Sequence, residues 1–115
     1  MRKIAAAGVL VLLLFGFSSA ADVSNFEIVS INARWEGTYL WAVGEVKNLG
    51  GTPAGVQVQV IVRDKAGKLV DTATFWPCST SNIPPGKTCG IKHPVTREKS
   101  VSSIEARIIG SKQWR

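Results

Sequence analysis

Cys78, Cys89 and His93 are the residues of this chain whose types and spacing could do covalent or metal chemistry. The cysteines are eleven positions apart, and His93 follows Cys89 by four. As thiolates beside an imidazole they would form part of a zinc or copper site. That set is one ligand short, and the sole methionine is Met1, so a methionine-type copper carrier has no support. No C-x-x-C-H haem motif is present. As a bonded pair, Cys78 and Cys89 would instead close a short loop through Ser79-Thr80-Ser81-Asn82 and Pro84-Pro85-Gly86, residues that bend a chain readily.

The choice between thiolates and disulfide depends on the compartment, and the N-terminus speaks to that. Met1-Arg2-Lys3 is a short positive segment, Ile4 to Phe17 is an apolar and glycine run, and Ser18-Ser19-Ala20-Ala21 are small residues. This pattern predicts a signal peptide over residues 1–21, cut after Ala20 or Ala21, and a secreted or periplasmic product. An uncleaved anchor is the alternative, the one route to membrane contact. Its fourteen apolar residues would rise about 21 Å as a helix, against a hydrocarbon core of roughly 30 Å. Alanine at position 21, with no cysteine nearby, excludes lipoprotein processing. An oxidising compartment makes the Cys78–Cys89 disulfide the expected state.

Catalysis finds little to work with. His93 is the only histidine, and no G-x-S-x-G elbow accompanies the serines. The eight carboxylates form no evident pair, and Glu27, Glu45, Asp64, Asp71 and Glu105 read as solvent-facing strand and turn residues. Pro85-Gly86-Lys87-Thr88 mimics the end of a phosphate-binding loop. Ser81 stands where its first glycine belongs, and no helical pattern follows. The expectation is a protein without enzymatic activity or cofactor.

Binding is the remaining class. The formal charge of +6 falls to +4 without Arg2 and Lys3, too mild an excess for a nucleic-acid binder. The aromatic residues beyond the leader include Trp35, Tyr39, Trp41, Phe75, Trp76 and Trp114. If Leu40, Ala42, Gly44 and Val46 face a core, then Tyr39, Trp41 and Val43 face away from it. They would form an apolar stripe beside Gln57, Gln59 and Ile61, suited to a protein partner or a sugar ring. Lys87, Lys92, His93, Arg97 and Lys99, opposed only by Glu98, form a second possible surface for anionic envelope components.

These residues must be carried by strands. Val56, Val58, Val60 and Val62 alternate with Gln57, Gln59, Ile61 and Arg63, which is the pattern of a strand with one buried face. Asp64-Lys65-Ala66-Gly67 reads as a turn into a second strand at 69–76, giving a hairpin. Further strands are expected at 26–33, 39–47, 88–92 and 103–109, the last with Ile104, Ala106 and Ile108 on one face. Residues 48–53 read as a loop. The expected architecture is all-β: one antiparallel sandwich of six or seven strands over residues 22–110, with a flexible tail at 111–115.

Gly44-Glu45-Val46-Lys47-Asn48 fits a G-x-V-x-N strand end, followed by a glycine-rich turn and Pro53-Ala54. Val60-Ile61-Val62-Arg63-Asp64 with Ala66-Gly67, and then Ile83-Pro84-Pro85-Gly86, complete a pattern that resembles the FxLYD domain family over roughly residues 26–109. Valine, valine and arginine stand where the naming motif has phenylalanine, leucine and tyrosine; Asp64 is kept. The resemblance implies an immunoglobulin-like sandwich of exported bacterial and archaeal proteins with no established enzymatic activity.

The sequence thus predicts a non-enzymatic exported binding or interaction module whose partner is a protein or glycan of the cell envelope. A carbohydrate-binding accessory domain using exposed tryptophans is the first alternative, and a periplasmic metal or redox protein the more distant one. Oligomeric state is left open.

Overall fold

Strands with one apolar face must bury it, and two sheets pressed face to face do so with short connections. The computed structural model, which describes residues 25–115, takes this form; the leader expected over 1–21 lies outside the described residues. Six strands follow in order: β1 (Phe26–Glu36), β2 (Tyr39–Asn48), β3 (Gly55–Arg63), β4 (Leu69–Phe75), β5 (Thr88–Thr96) and β6 (Ser103–Lys112). One antiparallel sheet has the order β1-β2-β5 and the other β4-β3-β6. The chain changes sheet after β2, β4 and β5, the wiring of a six-stranded immunoglobulin-like sandwich.

The core is built from the alternating positions. Val56, Val58, Val60 and Val62 of β3 are fully or almost fully buried, against Leu40, Ala42 and Val46 of β2 and Ile91 of β5. Ile104, Ala106 and Ile108 stand opposite Val62, Val60 and Val58 and extend this layer. Gly44 falls in the same inward series, where a β-bulge in β1 shifts the register between Ile28 and Ser30. The Ser30 carbonyl leans onto Gly44, and a Cβ there would collide with it, so glycine is required.

Asn48 closes the inward series and is completely buried. Its Nδ2 donates to the carbonyls of Thr52 (2.9 Å) and Ile83 (2.8 Å), while its Oδ1 accepts from the Gly50 amide (2.8 Å). Its backbone amide donates to Lys87 O, and its carbonyl accepts from the Gly86 amide. One side chain therefore ties the β2–β3 connection to the turn that precedes β5.

Two boundaries differ from expectation. β5 continues past position 92 to Thr96 although it contains Pro94. It is an edge strand, where a residue without an N–H can turn that side to solvent. The flexible tail expected at 111–115 is corrected as well: β6 runs to Lys112, and Trp114 folds back on the sandwich. The Trp114 amide donates to Asn82 Oδ1 (2.8 Å), and its carbonyl accepts from Asn82 Nδ2 (2.9 Å). Its ring meets Trp76 edge to face at 5.3 Å and lies against Gly55, where a side chain would displace it.

The free edges of the two sheets are fastened where β4 meets β5. Cys78 and Cys89 are disulfide-bonded there, with Cα atoms 6.2 Å apart. Nearby, Phe75 stacks on His93 with ring centroids 4.1 Å apart and 4° between planes. Burial disfavours the charged imidazole and lowers the His93 pKa below its ordinary 6.5. The unfolded chain then binds more protons than the folded one below that value, so stability is fully present above pH 6.5 and declines as pH falls. Urea midpoints are expected to be lower at pH 5 than at pH 7.5, and His93→Phe should flatten this difference.

Candidate functional site

The β1–β2 hairpin sets the site. Gly37 and Thr38 form its two-residue turn, with Gly37 at φ +64°, and Glu36 pairs directly with Tyr39. Side chains opposite one another share a face. Arg34 therefore lies beside Trp41, and Asn32 beside Val43. On the other flank Val43 pairs with Lys92, and Trp41 with Pro94. Leu40 and Ala42 are buried between these positions, as the alternation predicts, so Tyr39, Trp41 and Val43 occupy the outer face. Tyr39 is 40% exposed, while Trp41 and Val43 are half-buried.

Cations cover the rings. Lys92 Nζ lies 5.4 Å from the Trp41 ring centre, and the Arg97 guanidinium 5.5 Å from that of Tyr39. Lys99 Nζ sits 4.1 Å from the ring centre of Trp35. At exposed positions each such contact contributes about 0.5–1 kcal/mol. Trp35 pairs with Leu40 and so belongs to the opposite, inward side of the hairpin tip, where it extends beyond the core and stays 40% exposed. Arg97 and Lys99, two residues apart in the connection from β5 to β6, thus straddle the tip. That connection is held by Ser102 N donating to Arg63 O (2.7 Å) and Glu98 N donating to Thr96 Oγ1 (3.1 Å).

Only part of this positive charge is neutralised. Glu36 accepts from Arg34 at 2.8 Å and lies 3.8 Å from Lys92. Arg97 and Lys99 form no ion pair among the described residues. A shallow hollow beside Lys99, between residues 64–66 and 99–102, continues the surface at the end of the sandwich. Asp64 lines it, but its Oδ1 accepts from the amides of Ala66 and Lys68 (both 2.9 Å).

The two surfaces expected separately from sequence therefore meet at the hairpin tip: Lys92 and Arg97 cap Trp41 and Tyr39 on the outer face, and Lys99 caps Trp35 on the inward side. Lys87 is not part of it. The basic segment 87–99 is mostly strand β5, and Lys87 lies at the far end beside Asn48. Gln57, Gln59 and Ile61 are not neighbours of the stripe either, since β2 and β3 lie in different sheets. Arg34 and Glu36, absent from the sequence-based set, complete the face; laying out a two-residue hairpin at Gly37-Thr38 would have brought them opposite Trp41 and Tyr39. Of the residues considered as metal ligands, Cys78 and Cys89 are bonded to each other and the His93 ring stacks on Phe75.

Fold and surface together define a small antiparallel β-sandwich with a cation-capped aromatic face at one end of one sheet. No protein-family model, no curated protein and no solved structure matches this chain.

Proposed function

We propose that the protein is a non-enzymatic, exported binding module of the cell envelope that holds its partner at the β1–β2 hairpin tip of the β1-β2-β5 sheet. The observation that carries this reading is the set of three aromatic rings, each under a cation, two of those cations lacking a carboxylate partner among the described residues. Long basic side chains laid on rings keep their charged ends in place, which lowers the entropy lost when a partner docks. Export rests on the leader pattern of residues 1–21. The Cys78–Cys89 bond is compatible with an oxidising compartment, and among the described residues no helix is long and apolar enough to cross a membrane.

Kinship with FxLYD domains belongs to the same proposal. Gly44, Val46 and Asn48 of the G-x-V-x-N segment all point inward, and Asn48 bonds to Ile83 and Gly86 of the later proline-glycine segment. The residues that carry the resemblance thus support the fold and leave the outer face free to vary. The partner is a protein or a glycan, and the half-exposed Trp35 and Tyr39 favour keeping the glycan reading alongside. Tyr39→Ala tests the surface: capture of the wild-type partner from an envelope fraction should be lost while the melting temperature falls by no more than about 8 °C, since an exposed cation–ring contact contributes under 1 kcal/mol.

A further inference from the structure

Resting on that reading, we propose that the partner is an acidic polysaccharide, a chain of uronate sugars whose carboxylates meet Arg97 and Lys99 at the hairpin tip. Arg34, Lys92, Arg97 and Lys99 face Glu36 and Glu98 at this end of the sheet, a local excess of two positive charges. Glu36 is occupied by Arg34 and Lys92. One of the two excess charges is therefore shared by Arg34 and Lys92, and the other lies on the loop cations Arg97 and Lys99, which form no ion pair among the described residues. The Arg97 guanidinium, 5.5 Å from the Tyr39 ring centre, meets no carboxylate among the described residues, and its N–H fork matches a planar carboxylate. Tyr39 and Trp35 stay 40% exposed beside these cations and offer apolar edges to the C–H faces of sugar rings.

A protein partner fits this surface less well. Protein interfaces draw their affinity from side-chain anchors seated in pockets, whereas here Trp41 and Val43 lie half-buried in the sheet face and the hollow beside Lys99 is shallow. Addition of a peptide strand to the adjacent free edge of β5 is interrupted by Pro94, which has no N–H to give. A sugar chain needs neither pocket nor ladder. It needs fixed charges and ring edges along a line, and the tip supplies both.

The test is titration calorimetry of the full mature chain with alginate, neutral dextran of similar length, and poly-glutamate. Alginate should bind at least ten-fold more tightly than either of the others. Arg97→Gln with Lys99→Gln should weaken alginate binding at least ten-fold in a protein that stays folded at the titration temperature. Lys47→Gln with Lys87→Gln, which removes the same charge at the far end, should leave affinity within two-fold. Dextran or poly-glutamate binding as well as alginate would overturn the proposal, the latter in favour of an acidic peptide. So would an undiminished Arg97/Lys99 double variant. If alginate fails while capture from the envelope fraction still depends on Tyr39, only the polysaccharide falls; if capture is also independent of Tyr39, the binding surface itself is wrong.

Discussion

Asn48→Ala is expected to remove about 3–4 kcal/mol of folding stability. The side chain is completely buried and makes three hydrogen bonds between 2.8 and 2.9 Å, two as donor and one as acceptor. Truncation deletes all three and leaves the buried Ile83 carbonyl with only its longer bond from the Ala54 amide (3.3 Å). Each bond is worth about 1 kcal/mol, and each buried group left unmet adds about 1–3 kcal/mol more where water cannot reach it. Water reaching Thr52 and Gly50 from the loop side holds the sum near the lower end. Against a total of roughly 5–15 kcal/mol for a domain of this kind, such a loss would leave the fold marginal. Asn48→Asp should be no milder, because it keeps the acceptor for Gly50 but turns a carboxylate toward two carbonyls. Urea denaturation followed by tryptophan fluorescence reads the effect; a loss under about 1 kcal/mol would mean that Asn48 does not tie the two connections together.

Removing the disulfide comes next. Cys78 and Cys89 close a loop with a sequence separation of 11, and such a closure withdraws about 3 kcal/mol of chain entropy from the unfolded state. The bond also joins the edge of one sheet to the edge of the other, since Cys78 follows β4 and Cys89 lies in β5. Without it, that seam relies on the stack of Phe75 on His93. The double variant Cys78→Ser and Cys89→Ser should therefore unfold at a clearly lower guanidinium concentration than the oxidised protein, and reductant should bring the wild type to nearly the same midpoint. A wild-type midpoint indifferent to reductant would show that the bridge constrains nothing the fold does not already hold.

Much of the fold was legible because period two is a strong signal when the residues are valines. Val56 to Val62 announced both the strand and its buried face, and Ile104, Ala106 and Ile108 did so more quietly. The same periodicity correctly turned Tyr39, Trp41 and Val43 outward. It could not say which strands are neighbours, because alternation fixes the face of a side chain and leaves the sheet open. That is why Gln57, Gln59 and Ile61 were placed beside Trp41 when a change of sheet separates them. Lys87 and Lys99 are close in sequence, but the nine residues of β5 run extended and carry its ends about 26 Å apart. The anchoring of Trp114 by Asn82 spans 32 positions and has no local signature. Pro94 discouraged extension of β5 because its missing N–H is tolerated only at an edge, and edge status is a property of the assembled sheet.

The central claim is that contact with the partner is made at the hairpin tip and not by basic charge wherever it lies. Retention of an envelope fraction on immobilised protein tests this most directly when Tyr39→Ala is compared with Lys87→Ala. Tyr39 carries the ring under Arg97, and Lys87 sits at the far end of β5. The expected result is loss of the retained component with Tyr39→Ala, wild-type retention with Lys87→Ala, and both variants folded at the assay temperature. Equal retention by the two variants, or loss only with Lys87→Ala, would contradict the account.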